Sequence, residues 1–197
     1  MANFSYILYD DASGKCVLID PSWEPQKIQN EAANYGITAV FLTHAHFDHV
    51  KAVDHFLAKH SNLHAYIHKN DFAGLSLNSK KTKTFEDGHE FKTCGFNIKA
   101  IHTPGHTPGS ACFLADNKLF TGDTLFVREC GRVDLPGSSP EDLWKSFLKL
   151  ASMPDETAIY PGHFYNGSVS TIGEEKQNNI YMKLALKSRE EFLKAVV

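Results

Sequence analysis

Hydrophobic positions along the chain alternate between short apolar or every-second-residue runs, which read as strands, and runs spaced by three or four, which read as helices. Phe4–Tyr9 and Cys16–Ile19 flank Asp10-Asp11-Ala12-Ser13-Gly14, the pattern of a hairpin closed by a glycine-containing turn. Pro25–Tyr35 carries a helical pattern with an expected C-cap at Gly36. Ile37–Leu42 is short and mostly apolar, as in a strand covered on both faces. Val50, Val53, Phe56 and Leu57 then share one helical face, predicting a helix over Asp48–His60. Ala65–Ile67 predicts a strand, Asn70–Leu75 a short helix, and the lysine-rich Asn78–Lys83 a solvated connection.

The second half repeats the same kinds of element. Phe96–Ile101, Ala111–Leu114 and Lys118–Thr121 predict strands, and Ala158–Tyr160 a further short one. Ser139-Pro140-Glu141-Asp142 opens a helix with a serine N-cap, a proline at the first helical position and a carboxylate at the third. Thr171-Ile172-Gly173-Glu174 has capping-box spacing and starts a last helix running toward Lys187. Strands alternating with helices, with hairpins in both halves, predict a layered α/β architecture with sheets inside and helices outside.

The length of 197 residues fits a single domain over 1–197, and 42% apolar against 22% charged residues supplies a sizeable core. A formal charge of −3 argues against a nucleic-acid partner, which would want a basic face. No apolar run approaches a membrane span, and Met1–Asp20 lacks the pattern of a signal peptide. The four cysteines contain no CxxC pair, so neither a disulfide framework nor a cysteine-built zinc site is expected; a reducing cytoplasmic location follows.

Histidine changes the picture. Eleven are present, and several cluster with aspartate directly after predicted strands. Thr43-His44-Ala45-His46-Phe47-Asp48-His49 places four metal-binding side chains within six residues at the end of a strand, where open α/β sheets bind ligands. His44 and His46 stand two apart, so an extended backbone points both the same way. Three weaker segments repeat the placement: His106 between two Pro-Gly turns, Asp123 in Thr121-Gly122-Asp123-Thr124, and His163 in Tyr160-Pro161-Gly162-His163-Phe164. Five histidines and two aspartates exceed what one tetrahedral zinc needs, and suit two adjacent metals sharing a carboxylate.

His-x-His-x-Asp-His followed in order by His106, Asp123 and His163 resembles the metallo-β-lactamase superfamily over nearly the whole chain, from Val17-Leu18-Ile19-Asp20-Pro21 to Ser170–Lys176. The resemblance implies an αββα sandwich, two mixed sheets flanked by helices, with metals at one edge. It further implies that His44, His46 and His106 hold one metal, that Asp48, His49 and His163 hold the second, and that Asp123 bridges them. The superfamily's lactamases generally carry a cysteine at the Asp123 position and are exported; its nucleases carry an inserted domain or a basic surface.

The stronger resemblance is to glyoxalase II and the related persulfide dioxygenases, through Thr121–Phe126, Cys130-Gly131-Arg132 and Tyr165 two residues after His163. It implies that Arg132 and Tyr165 meet an anionic thiol substrate, although Arg132 also reads as an ordinary surface arginine. Only 34 residues follow His163, too few for the glutathione-binding helical domain of the long glyoxalase II form. Asn3-Phe4-Ser5-Tyr6 and Asp20–Glu24 resemble acyl hydrolases acting on carrier-protein thioesters.

The expected activity is a zinc-dependent thioester hydrolase with two Zn2+, whose hydroxide is generated near neutral pH and accepted in hydrogen bonding by Asp48. The substrate is then a small-molecule or carrier-linked thioester. An oxygenase is the alternative: persulfide dioxygenases bind one Fe2+ through two histidines and a carboxylate, here His44, His106 and Asp123. A mixed Zn/Fe centre and a non-catalytic metal-binding protein of the same fold complete the readings that the ligand set allows. His102 reads as structural or as a support for His106, and Asp20 as a support for a ligand or a turn residue.

Overall fold

The computed structural model describes residues 3–77 and 79–197; Met1, Ala2 and Asn78, which end segments read from the sequence, lie outside them. The first hairpin forms as its turn residues dictate. β1 (Tyr6–Asp10) pairs antiparallel with β2 (Lys15–Ile19), and Gly14 takes the left-handed conformation (φ 63°) that closes the turn. β3 (Gly36–Phe41), β4 (Ala65–His68) and β5 (Thr82–Phe85) extend this sheet in parallel, in the order β1-β2-β3-β4-β5.

The second sheet begins as an antiparallel meander of β6 (Glu90–Thr93), β7 (Phe96–His102), β8 (Ala111–Ala115) and β9 (Lys118–Gly122). A separate ribbon, β10 (Leu125–Phe126) and β11 (Glu129–Cys130), leaves it after β9. β12 (Ala158–Pro161) then joins β9 in parallel, and β13 (Ser170–Thr171) pairs antiparallel with β12 at the edge.

Both sheets have apolar residues on both faces, which is why the strands read as continuous apolar runs. In β2 and β3, Val17, Ile19, Ala39 and Phe41 point between the sheets while Leu18, Val40 and Leu42 point outward. Across the interface Phe41 packs on Phe91 and Phe113 with ring centroids 4.8 and 5.1 Å apart. Outward residues of the first sheet meet α1 (Pro25–Glu31) and α3 (Val53–Lys59) through Ile28, Val53, Phe56 and Leu57. Those of the second meet α4 (Pro140–Ala151), α6 (Ile180–Lys187) and α7 (Arg189–Val196) through Phe147, Met182 and Phe192. The layers are therefore helix, sheet, sheet, helix: the αββα sandwich, with two mixed sheets flanked by helices.

Several boundaries differ from the pattern along the sequence. The first helix stops at Glu31, because beyond Ala32 no apolar side chain continues its buried face, and Gly36 starts β3 instead of capping the helix. The helix expected over Asp48–His60 is two pieces, α2 (Phe47–Val50) and α3. The Asp48 carbonyl, which would accept from Ala52 in a continuous helix, accepts instead from Ser22 Oγ and Asn3 Nδ2, and Ala52 N donates to Pro21 O. Residues 82–83 of the expected solvated connection belong to β5, and Lys81 Nζ caps α3 by donating to the Leu57 and His60 carbonyls. The last predicted helix breaks at Asn179 between α5 (Ile172–Asn178) and α6. Asn70–Leu75 becomes a 3-10 turn over Lys69–Gly74, and β6, the ribbon and α7 add elements that no periodicity announced. Among the described residues no helix is long and apolar enough to cross a membrane.

Two measurements check this packing. Phe113 is fully buried between the sheets, so Phe113→Ala lowers unfolding free energy by about 3–5 kcal/mol in urea titration, whereas Phe47→Ala, at an exposed ring, changes it by less than about 0.5 kcal/mol. His68 is buried and stacks on His102 at 3.8 Å, and burial followed by the His102 charge pushes its pKa down to about 4. A depressed histidine pKa means the unfolded chain takes up the proton first. Stability is therefore lost as pH falls from about 6.5 toward about 4, and the His68 ring protons titrate near pH 4 by NMR.

Candidate metal centre

The four ligand-bearing segments all leave the same end of the sandwich. His44, His46, Asp48 and His49 follow β3, with Asp48 and His49 in the single turn of α2. His106 lies in the loop from β7 to β8, Asp123 directly after β9, and His163 directly after β12. The structure brings all seven together. His44, His46 and His106 offer nitrogen atoms within 4.8 Å of one another, and so do the donors of Asp48, His49 and His163. His46 Nδ1 stands 2.9 Å from His106 Nε2, and His49 Nε2 stands 3.2 Å from His163 Nε2. Asp123 lies between the two sets: Oδ2 is 3.6 Å from His106 Nε2 and 3.3 Å from His163 Nε2, and Oδ1 is 3.3 Å from His49 Nε2. Asp48 Oδ2 is 3.5 Å from His163 Nε2 and 3.9 Å from His49 Nε2.

Acceptors behind the rings decide which nitrogen faces the centre. Asp20 Oδ2 takes the N–H of His49 Nδ1 at 2.9 Å and the Thr43 hydroxyl at 2.6 Å, while its Oδ1 takes the Thr43 backbone N–H at 2.8 Å. With its own proton committed to Asp20, Thr43 Oγ1 accepts from His44 Nδ1 at 3.0 Å. The Arg132 carbonyl accepts from His106 Nδ1 at 2.9 Å. His44 and His106 thus each turn a bare Nε2 inward, the orientation a metal-binding histidine takes, and His49 turns its Nε2 the same way. His44 Nε2 and Asp123 Oδ1 are buried with no hydrogen-bond partner. Orphaned buried polar atoms are costly, and atoms bearing only lone pairs are satisfied by a cation; the donor set fits divalent metal of the kind nitrogen and carboxylate ligands select.

Charge follows the geometry. Burial, and next the neighbouring His49, lower the His44 pKa well below the ordinary range, and burial with His106 lowers that of His46. Both rings are held neutral, as metal ligation requires. Burial works against the Asp123 carboxylate, yet His49, His163 and His44 outweigh it and hold its pKa well below normal. Burial likewise opposes a proton on His49, but Asp123 and Asp20 overcome it, so a proton competes with a cation there. The strand ends also crowd together: a side chain at Gly162 would run into Asp123 Oδ1 and come within 2.9 Å of His49 Cε1.

The centre floors an open cleft of about 530 Å³ walled by Phe47, Phe126, Arg132, Leu135, Phe164 and Tyr165. Phe47 and Phe164 are more than half exposed, and Tyr165 packs on Phe126 at 4.8 Å. Arg132 reaches the rim, where its guanidinium makes two hydrogen bonds to Asp134 at 2.9 and 2.8 Å. Its carbonyl, not its charge, touches the ligand set. His102 is a packing residue whose Nε2–H donates to the Pro108 carbonyl of the loop at 2.9 Å. The contributions of Thr43, Ser22 and the Arg132 carbonyl carried no signal in the sequence beyond adjacency to the motifs.

The chain belongs to the metallo-β-lactamase superfamily, whose family model matches residues 2–163. It is 35% identical over 191 residues to the probable polyketide biosynthesis zinc-dependent hydrolase BaeB of Bacillus velezensis, covering 94% of this chain and 84% of that protein. Among solved structures it is similar to ETHE1 from Myxococcus xanthus, with TM-score 0.86, 33% identity, and coverage of 99% of this chain and 85% of the other. It is also similar to TTHA1623, solved in a di-iron-bound form, with TM-score 0.75, 34% identity, and coverage of 90% and 93%.

Because Asp20 orients His49 directly and His44 through Thr43, Asp20→Asn weakens metal binding in both halves of the centre. The expected loss is about 10- to 100-fold in affinity, read by competition against a chromophoric chelator.

Proposed function

We propose that this protein is a metal-dependent hydrolase that cleaves thioesters. The observation carrying the reading is the pair of three-donor clusters with the Asp123 carboxylate between them. Two zinc ions held there, by His44, His46 and His106 and by Asp48, His49 and His163, with Asp123 shared, would supply hydroxide near neutral pH and polarise a carbonyl oxygen. The BaeB likeness supports zinc and hydrolysis, and the di-iron form of TTHA1623 shows that a similar chain holds two metals.

The remaining work falls to this chain's own side chains. Asp48 lies on the cleft floor beside His163, where its carboxylate accepts a hydrogen bond from the attacking water and fixes its approach. Phe47, Phe164 and Leu135 flank the reacting centre with apolar surface, which suits the acyl part of a thioester and limits water at the reacting carbon. Tyr165 and Arg132 stand at the rim, where a thiol carrier enters; Arg132 meets an anionic group there only in competition with Asp134. A thiolate leaves without a strong general acid, consistent with a floor made of ligands. The substrate is a small-molecule or carrier-linked thioester, and the polyketide association of BaeB favours the carrier-linked class.

A second reading, oxygenase chemistry at one iron held by His44, His106 and Asp123, is favoured by the likeness to ETHE1. One experiment separates the two. Purified protein holding about two metals per chain cleaves acyl-thioesters, and Asp48→Ala lowers kcat by at least about 100-fold. One iron per chain, no hydrolysis, and oxygen consumption with glutathione persulfide would falsify the hydrolase reading.

A further inference from the structure

Asp71 sits in the 3-10 turn Lys69–Gly74 after β4, outside the cleft and 4% exposed. Its carboxylate accepts three hydrogen bonds. Oδ2 accepts from the backbone N–H of Ala45 at 2.9 Å and from Thr107 Oγ1 at 2.8 Å, and Oδ1 accepts from the Gly109 N–H at 2.6 Å. Ala45 is the residue between His44 and His46, and Thr107 follows His106. One buried carboxylate therefore grips both loops that carry the His44, His46 and His106 donors. Among the described residues no lysine or arginine pairs with it, so uncharged donors alone compensate its burial, a costly choice that a purely structural turn does not need.

The grip also explains the second Pro-Gly turn of the His106 loop. A Cβ at Gly109 would stand 2.5 Å from Asp71 Oδ1 and 2.6 Å from its Cβ, so the glycine is required by close approach; its φ is not in the left-handed region. The same turn is held a second time, where Asn70 Nδ2 donates to the Pro108 carbonyl at 3.3 Å. The other half of the centre is supported differently. His49 leans on Asp20, and the Asp48 carbonyl accepts from Ser22 and Asn3.

We propose that Asp71 is a positioning residue for one half of the metal centre: it clamps the His44–His46 loop to the His106 loop and so assembles that three-nitrogen set, leaving the Asp48–His49–His163 set untouched. The proposal rests on the metal-binding part of the function proposed above, and not on the thioester.

The test is a zinc and cobalt(II) binding isotherm of the full chain, with metal analysis and thermal unfolding of each metal-free variant. Wild type binds two metals. In Asp71→Asn, an amide N–H is turned toward a donor that the carboxylate had satisfied, and one of the two binding steps weakens by about 10- to 100-fold while the other keeps its wild-type affinity. Gly109→Ala, which displaces the carboxylate without touching a ligand, weakens the same step by less. A His163→Ala chain, dependent on the His44–His46–His106 half, assigns the step, because adding Asp71→Asn to it weakens the remaining site. Two wild-type affinities in folded Asp71→Asn overturn the proposal. So does equal weakening of both steps alongside a lowered unfolding temperature, which marks general destabilisation. Should Asp71→Asn not fold, wild-type binding by Gly109→Ala overturns it equally. A wild-type chain that takes up no metal removes the metal reading itself, a failure distinct from that of Asp71.

Discussion

Everything at the cleft depends on the face-to-face packing of the two sheets. His44, His46, Asp48 and His49 leave from the first sheet, while His106, Asp123 and His163 leave from the second. Their separation is set by the side chains between the sheets, where Phe41 meets Phe91 and Phe113. Protein interiors pack at crystal-like density and transmit a change of one methylene, so this aromatic layer is the spacer that fixes donor-to-donor distances. The strands supply rigidity, and the loops need travel only a few residues before they meet.

Convergence has an electrostatic cost that the surroundings distribute unevenly. Five imidazoles and two carboxylates share a volume largely closed to water, and the unpaired His44 Nε2 and Asp123 Oδ1 are the clearest signs that protein groups alone do not satisfy it. Groups behind the ligands commit their outer atoms: Asp20 fixes His49 and, through Thr43, His44, and the Arg132 carbonyl fixes His106. Orientation is thereby settled before any cation binds, which lowers the ordering entropy that binding must overcome. Function and stability oppose one another here, as at many sites that keep strained or unsatisfied groups.

The fold class and the convergence of the seven candidate donors were legible because they rest on strong local signals. The apolar run Ile37–Leu42 carries the signature of a strand covered on both sides, and His44 through His49 crowd too many donors together for a chance loop. What was not legible depended on contacts distant in sequence. Nothing near Asp48 shows that its carbonyl is claimed by Ser22 and Asn3, the event that cuts the expected helix in two. Lys81 read as solvated, yet it reaches back to cap α3, while Lys83 is exposed as read but lies on β5 and not in a loop. Arg132 shows the reverse case: its position by the site was foreseen, but its partner Asp134 sits two residues away and only the structure shows the pair closed.

The break at Asn179 has a reach beyond helix termination. Its side chain caps α6 through Tyr181 N and Met182 N while its Nδ2 donates to the Glu129 carbonyl, and the adjacent Glu175 accepts from Arg128 N. The ribbon that presents Phe126 to the cleft is thus held from two sides, by the start of the C-terminal helices and by Thr121 of β9, whose hydroxyl donates to the Leu125 carbonyl. One wall of the cleft therefore answers to the C-terminal helices as well as to the strands, so drift in those helices can reshape that wall while the seven candidate donors stay where the strands hold them.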